Sequence, residues 1–66
     1  MSSDQIRALR QRLGLSQAEF ADRYHINRRV LQHWEQGRYR TSDSGVTLLT
    51  LIDREPELIA EILSRP

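Results

Sequence analysis

Cysteine and lysine are absent from this 66-residue chain, and aromatic residues make up only 6% of it. Without cysteine there is no disulfide, no thiolate chemistry and no cysteine-ligated zinc. His25 and His33 stand alone, with no glutamate at a matching ligand spacing, so neither a metal nor a cofactor is expected. Without lysine there is no Walker-type phosphate loop, and no other glycine-rich loop replaces it. No serine is patterned with a base and an orienting carboxylate, and no two carboxylates pair on one face, so catalysis is not expected. The few aromatics form no platform for stacking single-stranded nucleic acid. No apolar run approaches the roughly 20 residues that cross a bilayer, and the polar N-terminus has no signal-peptide core. The expected compartment is therefore the cytoplasm, with no membrane partner.

What is present suffices for one small domain. Sixty-six residues lie near the lower limit for folding without disulfide or metal, and leave no room for a catalytic cleft beside a core. With 38% hydrophobic and 29% charged residues, the composition is that of a folded helical domain and not of a disordered chain. No strand-like alternation, repeat or low-complexity segment occurs. The formal charge of +1 conceals a division along the chain. Residues 5–40 hold eight arginines (7, 10, 12, 23, 28, 29, 38 and 40) against Glu19, Asp22 and Glu35, a balance of +5. Residues 41–66 hold Arg54 and Arg65 against Asp43, Asp53, Glu55, Glu57 and Glu61, a balance of −3. A cationic half suits nucleic acid, and an anionic half suits something else. All ten cations are arginine, which makes forked contacts with phosphate and guanine that lysine cannot, although GC-rich codon usage yields the same bias.

The stretch from Leu15 to Gly37 organises the rest. Ser16 and Glu19 have the spacing of a reciprocal capping box, which starts a helix at Gln17. Phe20, Ala21 and Tyr24 give that helix a narrow apolar stripe, and small Ala21 lets another helix approach closely. His25-Ile26-Asn27 breaks the pattern, and Asn27 can cap the next helix. In that helix Val30, Leu31 and Trp34 are expected inside, with Arg28, Arg29, Gln32, His33 and Gln36 outside. Gly37 closes it in a left-handed conformation. Arginine can bond guanine O6 and N7 together, and glutamine adenine N6 and N7, so the outer face has the chemistry of a major-groove reader. The plain alternative is a solvated polar face. Gln17, at the head of its helix, suits a phosphate anchor better than a base reader.

A preceding helix is expected from Ser2 or Ser3 to about Leu13, with Ile6, Leu9 and Leu13 on one side and Gly14 closing it. Arg7 and Arg12 read as solvated charges. Gly37-Arg38-Tyr39-Arg40 forms a basic loop suited to phosphate contact, or else a solvated turn. Thr41-Ser42-Asp43-Ser44 offers several caps for a fourth helix, in which Val46, Leu48, Leu49, Leu51 and Ile52 are apolar around much of the circumference. That helix is expected to be the central buried one. Pro56 ends it and opens a fifth. Leu58, Ile59, Ile62 and Leu63 then supply more apolar surface than a small monomer needs, which points to a homodimer. Ile59 or Leu58 is expected to face inward, and Ile62 or Leu63 to reach the partner.

Leu13-Gly14-Leu15-Ser16-Gln17-Ala18-Glu19-Phe20-Ala21, Leu31-Gln32-His33-Trp34-Glu35-Gln36-Gly37-Arg38, and Leu48-Leu49 with Pro56-Glu57-Leu58 resemble the helix-turn-helix of the Cro and phage-repressor (XRE) family, and more narrowly HigA-type antitoxins. The resemblance spans most of the chain. It departs at His25, where the family usually has glycine, and at Thr41, where it usually has proline. It implies an all-α, five-helix, lambda-repressor-like domain over 1–66, with the helix-turn-helix at about 16–36 and C-terminal helices at about 42–64 for core and dimerisation. It implies a repressor that binds a palindromic double-stranded operator, either as the antitoxin of a type II pair with a HigB/RelE-type toxin or as a stand-alone regulator. It further implies that Arg10 pairs with Glu35. The DNA-contacting set is then Gln17, Asn27, Arg28, Arg29, Gln32, His33, Gln36, Arg38, Tyr39 and Arg40.

Overall fold

A computed structural model describes residues 1–66 as five helices: α1 (Ser3–Arg12), α2 (Gln17–Arg23), α3 (Arg28–Gln36), α4 (Asp43–Arg54) and α5 (Pro56–Ser64). Four of them start at a side-chain cap. Ser2 and Gln5 form a capping box at α1, and Ser16 and Glu19 form another at α2. Asn27 Oδ1 accepts from the backbone of Arg29 and Val30 at 2.9 and 3.2 Å, and Ser42 Oγ accepts from Gly45 N at 3.1 Å. Each cap satisfies backbone donors that a helix start leaves unpaired. α5 instead begins with Pro56, which has no N–H to satisfy. Three turns take left-handed backbone, the first at Gly14 after α1, at φ 72°. Gly37, at φ 71°, ends α3 as expected, while His25, at φ 56°, adopts the conformation that glycine would take at the α2–α3 turn.

The core consists of Ile6 and Leu9 of α1, Phe20, Ala21 and Tyr24 around α2, Ile26 in the turn, Leu31 of α3, and Leu49 and Ile52 of α4. Phe20 and Tyr24, one turn apart, meet at a centroid distance of 4.9 Å. The buried Tyr24 hydroxyl donates to the Pro56 carbonyl at 3.0 Å, which ties α2 to the first turn of α5. α5 has no fully buried residue; Ile59, Ala60 and Leu63 lean on the core and close it.

Two expectations about burial are corrected. Val30 is 40% exposed, because α3 turns Leu31 and Glu35, at positions i and i+4, toward the centre and leaves Val30 at the edge. Leu51 is 47% exposed, so α4 is not buried all round: Gly45, Leu49 and Ile52 form its inner line. Arg7 and Arg12 are not simply solvated either. Arg7 Nη1 donates to the Glu35 carbonyl at 2.7 Å while pairing with Asp4, and Arg12 meets the Asp53 carboxylate at 2.8 Å and its carbonyl at 3.2 Å. One arginine thus holds α1 to the end of α3, and the other holds α1 to α4.

Candidate nucleic-acid interface

The position of α3 is set by one buried carboxylate. Glu35 is 2% exposed, and Arg10 approaches it with Nε to Oε2 at 2.8 Å and Nη2 to Oε1 at 2.8 Å. Arg10 Nη1 also donates to the Leu15 carbonyl at 3.0 Å, so the guanidinium spans α1, the following loop and α3. The hydrogen bond with Glu35 holds the Arg10 pKa above its ordinary value, against the opposing effect of burial. Gln17 Nε2 adds a bond to Glu35 Oε1 at 3.2 Å. Gln17, expected as a phosphate anchor, thus turns its amide inward in the free chain, onto an oxygen lone pair that Glu35 has left for α2 to fill. No buried side-chain polar atom lacks a partner.

With its inner line so fixed, α3 exposes Arg28, Arg29, Gln32 and Gln36, and leaves His33 half-buried. Asn27 is exposed at the head of this face, although its carbonyl oxygen is occupied as the cap. Arg28 is engaged as well. Its Nη2 lies 2.8 Å from Asp22 Oδ2 and its Nε 3.3 Å from Asp22 Oδ1, an exposed forked pair that links α3 to α2 and raises the Arg28 pKa. His33 meets the ring of Tyr39 edge-on at a centroid distance of 4.9 Å. That contact joins the outer face of α3 to the loop 37–40, where Arg38, Tyr39 and Arg40 are all exposed. The result is one surface with arginine, amide and aromatic donors on a helix and two further arginines beside it.

The candidate dimer residues are divided by α5. Leu58 and Ile62, one turn apart, are 46% and 47% exposed, whereas Ile59 and Leu63 lean on the core. Ile59 and Leu63 thus serve the fold, and Leu58 and Ile62 remain as the outward pair. The alternation was open in the sequence because four aliphatics within two turns do not say which pair faces in. No group of three His, Cys, Asp or Glu side chains could hold a metal ion, and no helix is long and apolar enough to cross a membrane.

Comparison with known proteins places this geometry in a family. A solved helix-turn-helix XRE-family-like protein from Agrobacterium tumefaciens superposes with a TM-score of 0.87 at 38% identity, covering 96% of this chain and 98% of that one. The antitoxin HigA-2 of Vibrio cholerae serotype O1 is 39% identical over 62 residues, which is 94% of this chain. The chain spans 60% of the length of that relative. The family model for MqsA, the antitoxin component of a bacterial toxin-antitoxin system, matches residues 1–63. On this match, and with its XRE-type helix-turn-helix close to that of HigA antitoxins, the chain belongs to the MqsA antitoxin family.

Proposed function

We propose that this chain is the operator-binding domain of a type II antitoxin, and that it represses its own operon from the cytoplasm as a symmetric homodimer on a palindrome. The observation that carries this reading is the outer face of α3. Arg29 and Gln32 stand exposed on it, with Arg38, Tyr39 and Arg40 along one end, in the half of the chain that nets +5. A helix of this width enters the major groove, where arginine and glutamine read guanine and adenine, while flanking arginines take phosphate. Residues 1–66 act as one unit: α2 and α3 form the reading motif, and α5 carries the pairing surface. The antitoxin name of the Vibrio relative and the family match support a toxin partner, a HigB/RelE-type protein in the narrower reading.

A stand-alone regulator is the second reading. The Agrobacterium protein, which this chain matches over nearly its whole length, is an XRE-family-like helix-turn-helix protein, and that likeness is common to both readings. Selection of bound duplexes from a randomised library, followed by footprinting, tests the operator. Recovery of a palindromic site supports the proposal, and equal binding to all sequences overturns it. Co-purification with the product of the adjacent reading frame separates the antitoxin from the stand-alone regulator.

A further inference from the structure

We infer that Asp22 is a positioning residue for base recognition: it holds the Arg28 guanidinium so that the free Nη1/Nη2 edge is offered to a guanine. The inference rests on the DNA-reading face proposed above and assigns a residue outside it. Arg28 is the first residue of α3, the end of a reading helix that enters the groove. Asp22 belongs to α2, whose packing against α3 is set independently by Phe20, Ala21 and Leu31 in the core.

The atoms that meet decide the role. Asp22 takes Nε at 3.3 Å and Nη2 at 2.8 Å, the side edge of the guanidinium. A guanidinium has five N–H donors in a planar fork, so this pairing uses one donor each from Nε and Nη2 and leaves three. Two of the three are parallel and point along the Nη1/Nη2 edge, the arrangement that matches guanine O6 and N7. Had Asp22 taken the Nη1/Nη2 edge, Arg28 would have had to break the pair before reading a base. Both side chains stay well exposed, at 61% for Arg28 and 64% for Asp22, so the pair is accessible from solvent. An exposed pair of this kind adds little to folding. Its effect is to restrict the rotamers of a long side chain before DNA arrives, so less freedom is lost on binding. The carboxylate also disfavours a phosphate at the same place, which directs Arg28 toward bases and not toward the backbone.

The test uses a duplex recovered by the wild-type chain from a randomised library, together with its variants at the base pair where Arg28→Lys relaxes preference. Asp22→Asn should lower the preference for guanine there by about fivefold, the order of one exposed ion pair, with affinity for non-specific duplex unchanged or raised. In an Arg28→Lys background, Asp22→Asn should change the preference no further. Retention of the full guanine preference by Asp22→Asn, or an equal loss in the Arg28→Lys background, would overturn the positioning role while leaving DNA reading intact. A wild-type chain without preference at any base pair would overturn the DNA reading itself, and this inference with it.

Discussion

Arg10 and Glu35 lie 25 residues apart in sequence and form a forked ion pair with both bonds at 2.8 Å. Side-chain exposures of 14% and 2% put the pair largely out of water, where its desolvation offsets much of its Coulomb attraction. The pair therefore orients α3 against α1 more than it adds stability. Removing one member leaves the other charged, buried and unpaired, so Arg10→Met or Glu35→Leu alone should each destabilise the domain by about 3–5 kcal/mol. Replacing both together should cost much less than the sum of the two. A double-mutant cycle by urea unfolding measures this, and simple additivity would contradict the coupling.

A second acidic group ties stability to pH. Glu19 in the α2 capping box has its pKa lowered from 4.5, chiefly by the backbone N–H of Ser16 and then by the Ser16 hydroxyl. A carboxylate more acidic in the folded state stabilises it fully above the unfolded pKa and loses that contribution as pH falls through the folded one. Glu19→Gln can keep the cap geometry, as Gln5 does in the box at α1, but cannot titrate. The stability difference between wild type and Glu19→Gln should thus stay constant at neutral pH and shrink only below about pH 4.5. A difference that is flat down to pH 2 would remove Glu19 as its source.

Some of this was legible in the sequence because it is local. Ser16 with Glu19, Asn27 before α3 and Gly37 after it act within a few residues, so spacing alone placed α2, α3 and the turn between them. The contacts around Glu35 are different. Arg7 and Gln17 reach it across 28 and 18 positions, and no periodicity announces such partners. The pairing of Arg10 with Glu35 was implied only by family resemblance. Hydrophobic pattern also gave the side of a helix but not the depth of burial. Val30 and Leu51 are as apolar as their neighbours, and they lie outside because the inner line of each helix is already occupied.

Gly45 is a case where packing overrides propensity. Alanine is better than glycine in a helix interior by about 1 kcal/mol. A Cβ at Gly45, however, would stand 2.8 Å from Trp34 Cζ2, 2.9 Å from Cη2 and 3.0 Å from Thr41 Cγ2. Overpacking of this kind costs about 1–3 kcal/mol, and the strain falls on α3, which carries Trp34. Gly45→Ala should therefore lower the melting temperature despite its propensity gain. An unchanged or higher melting temperature would mean that the Trp34 ring yields without resistance.

The proposed reading face is expected to make two kinds of contact. Arg29→Ala and Gln32→Ala should each cost about 1–3 kcal/mol at the selected site and relax preference at a base pair. Arg38→Ala, in the flanking loop, should weaken all sequences alike and reduce the slope of log K against log salt by about 1. Competition binding over a range of salt distinguishes the two. If Arg29→Ala and Gln32→Ala left discrimination intact, α3 would not be the reader.

Pairing of two copies is expected to run through the outward residues of α5. The chain is 32 Å in its longest dimension, whereas half-sites one helical turn apart are separated by about 34–36 Å. On the proposed function, one copy with a single α3 is expected to read one half-site, and a palindrome would require two. Leu58 and Ile62 are each nearly half exposed, in the part of the chain that nets −3 and is poorly suited to lie on phosphate. Ile62→Asp should then give a folded monomer with greatly weakened binding to the palindrome. Leu63→Asp should behave differently, because Leu63 leans on the core and a carboxylate partly buried against it damages the fold itself. Sedimentation with parallel circular dichroism separates the outcomes. Wild-type protein that is monomeric at high micromolar concentration yet binds the palindrome tightly would rule out a preformed dimer, and a folded Leu63→Asp monomer would move the contact to the other side of α5.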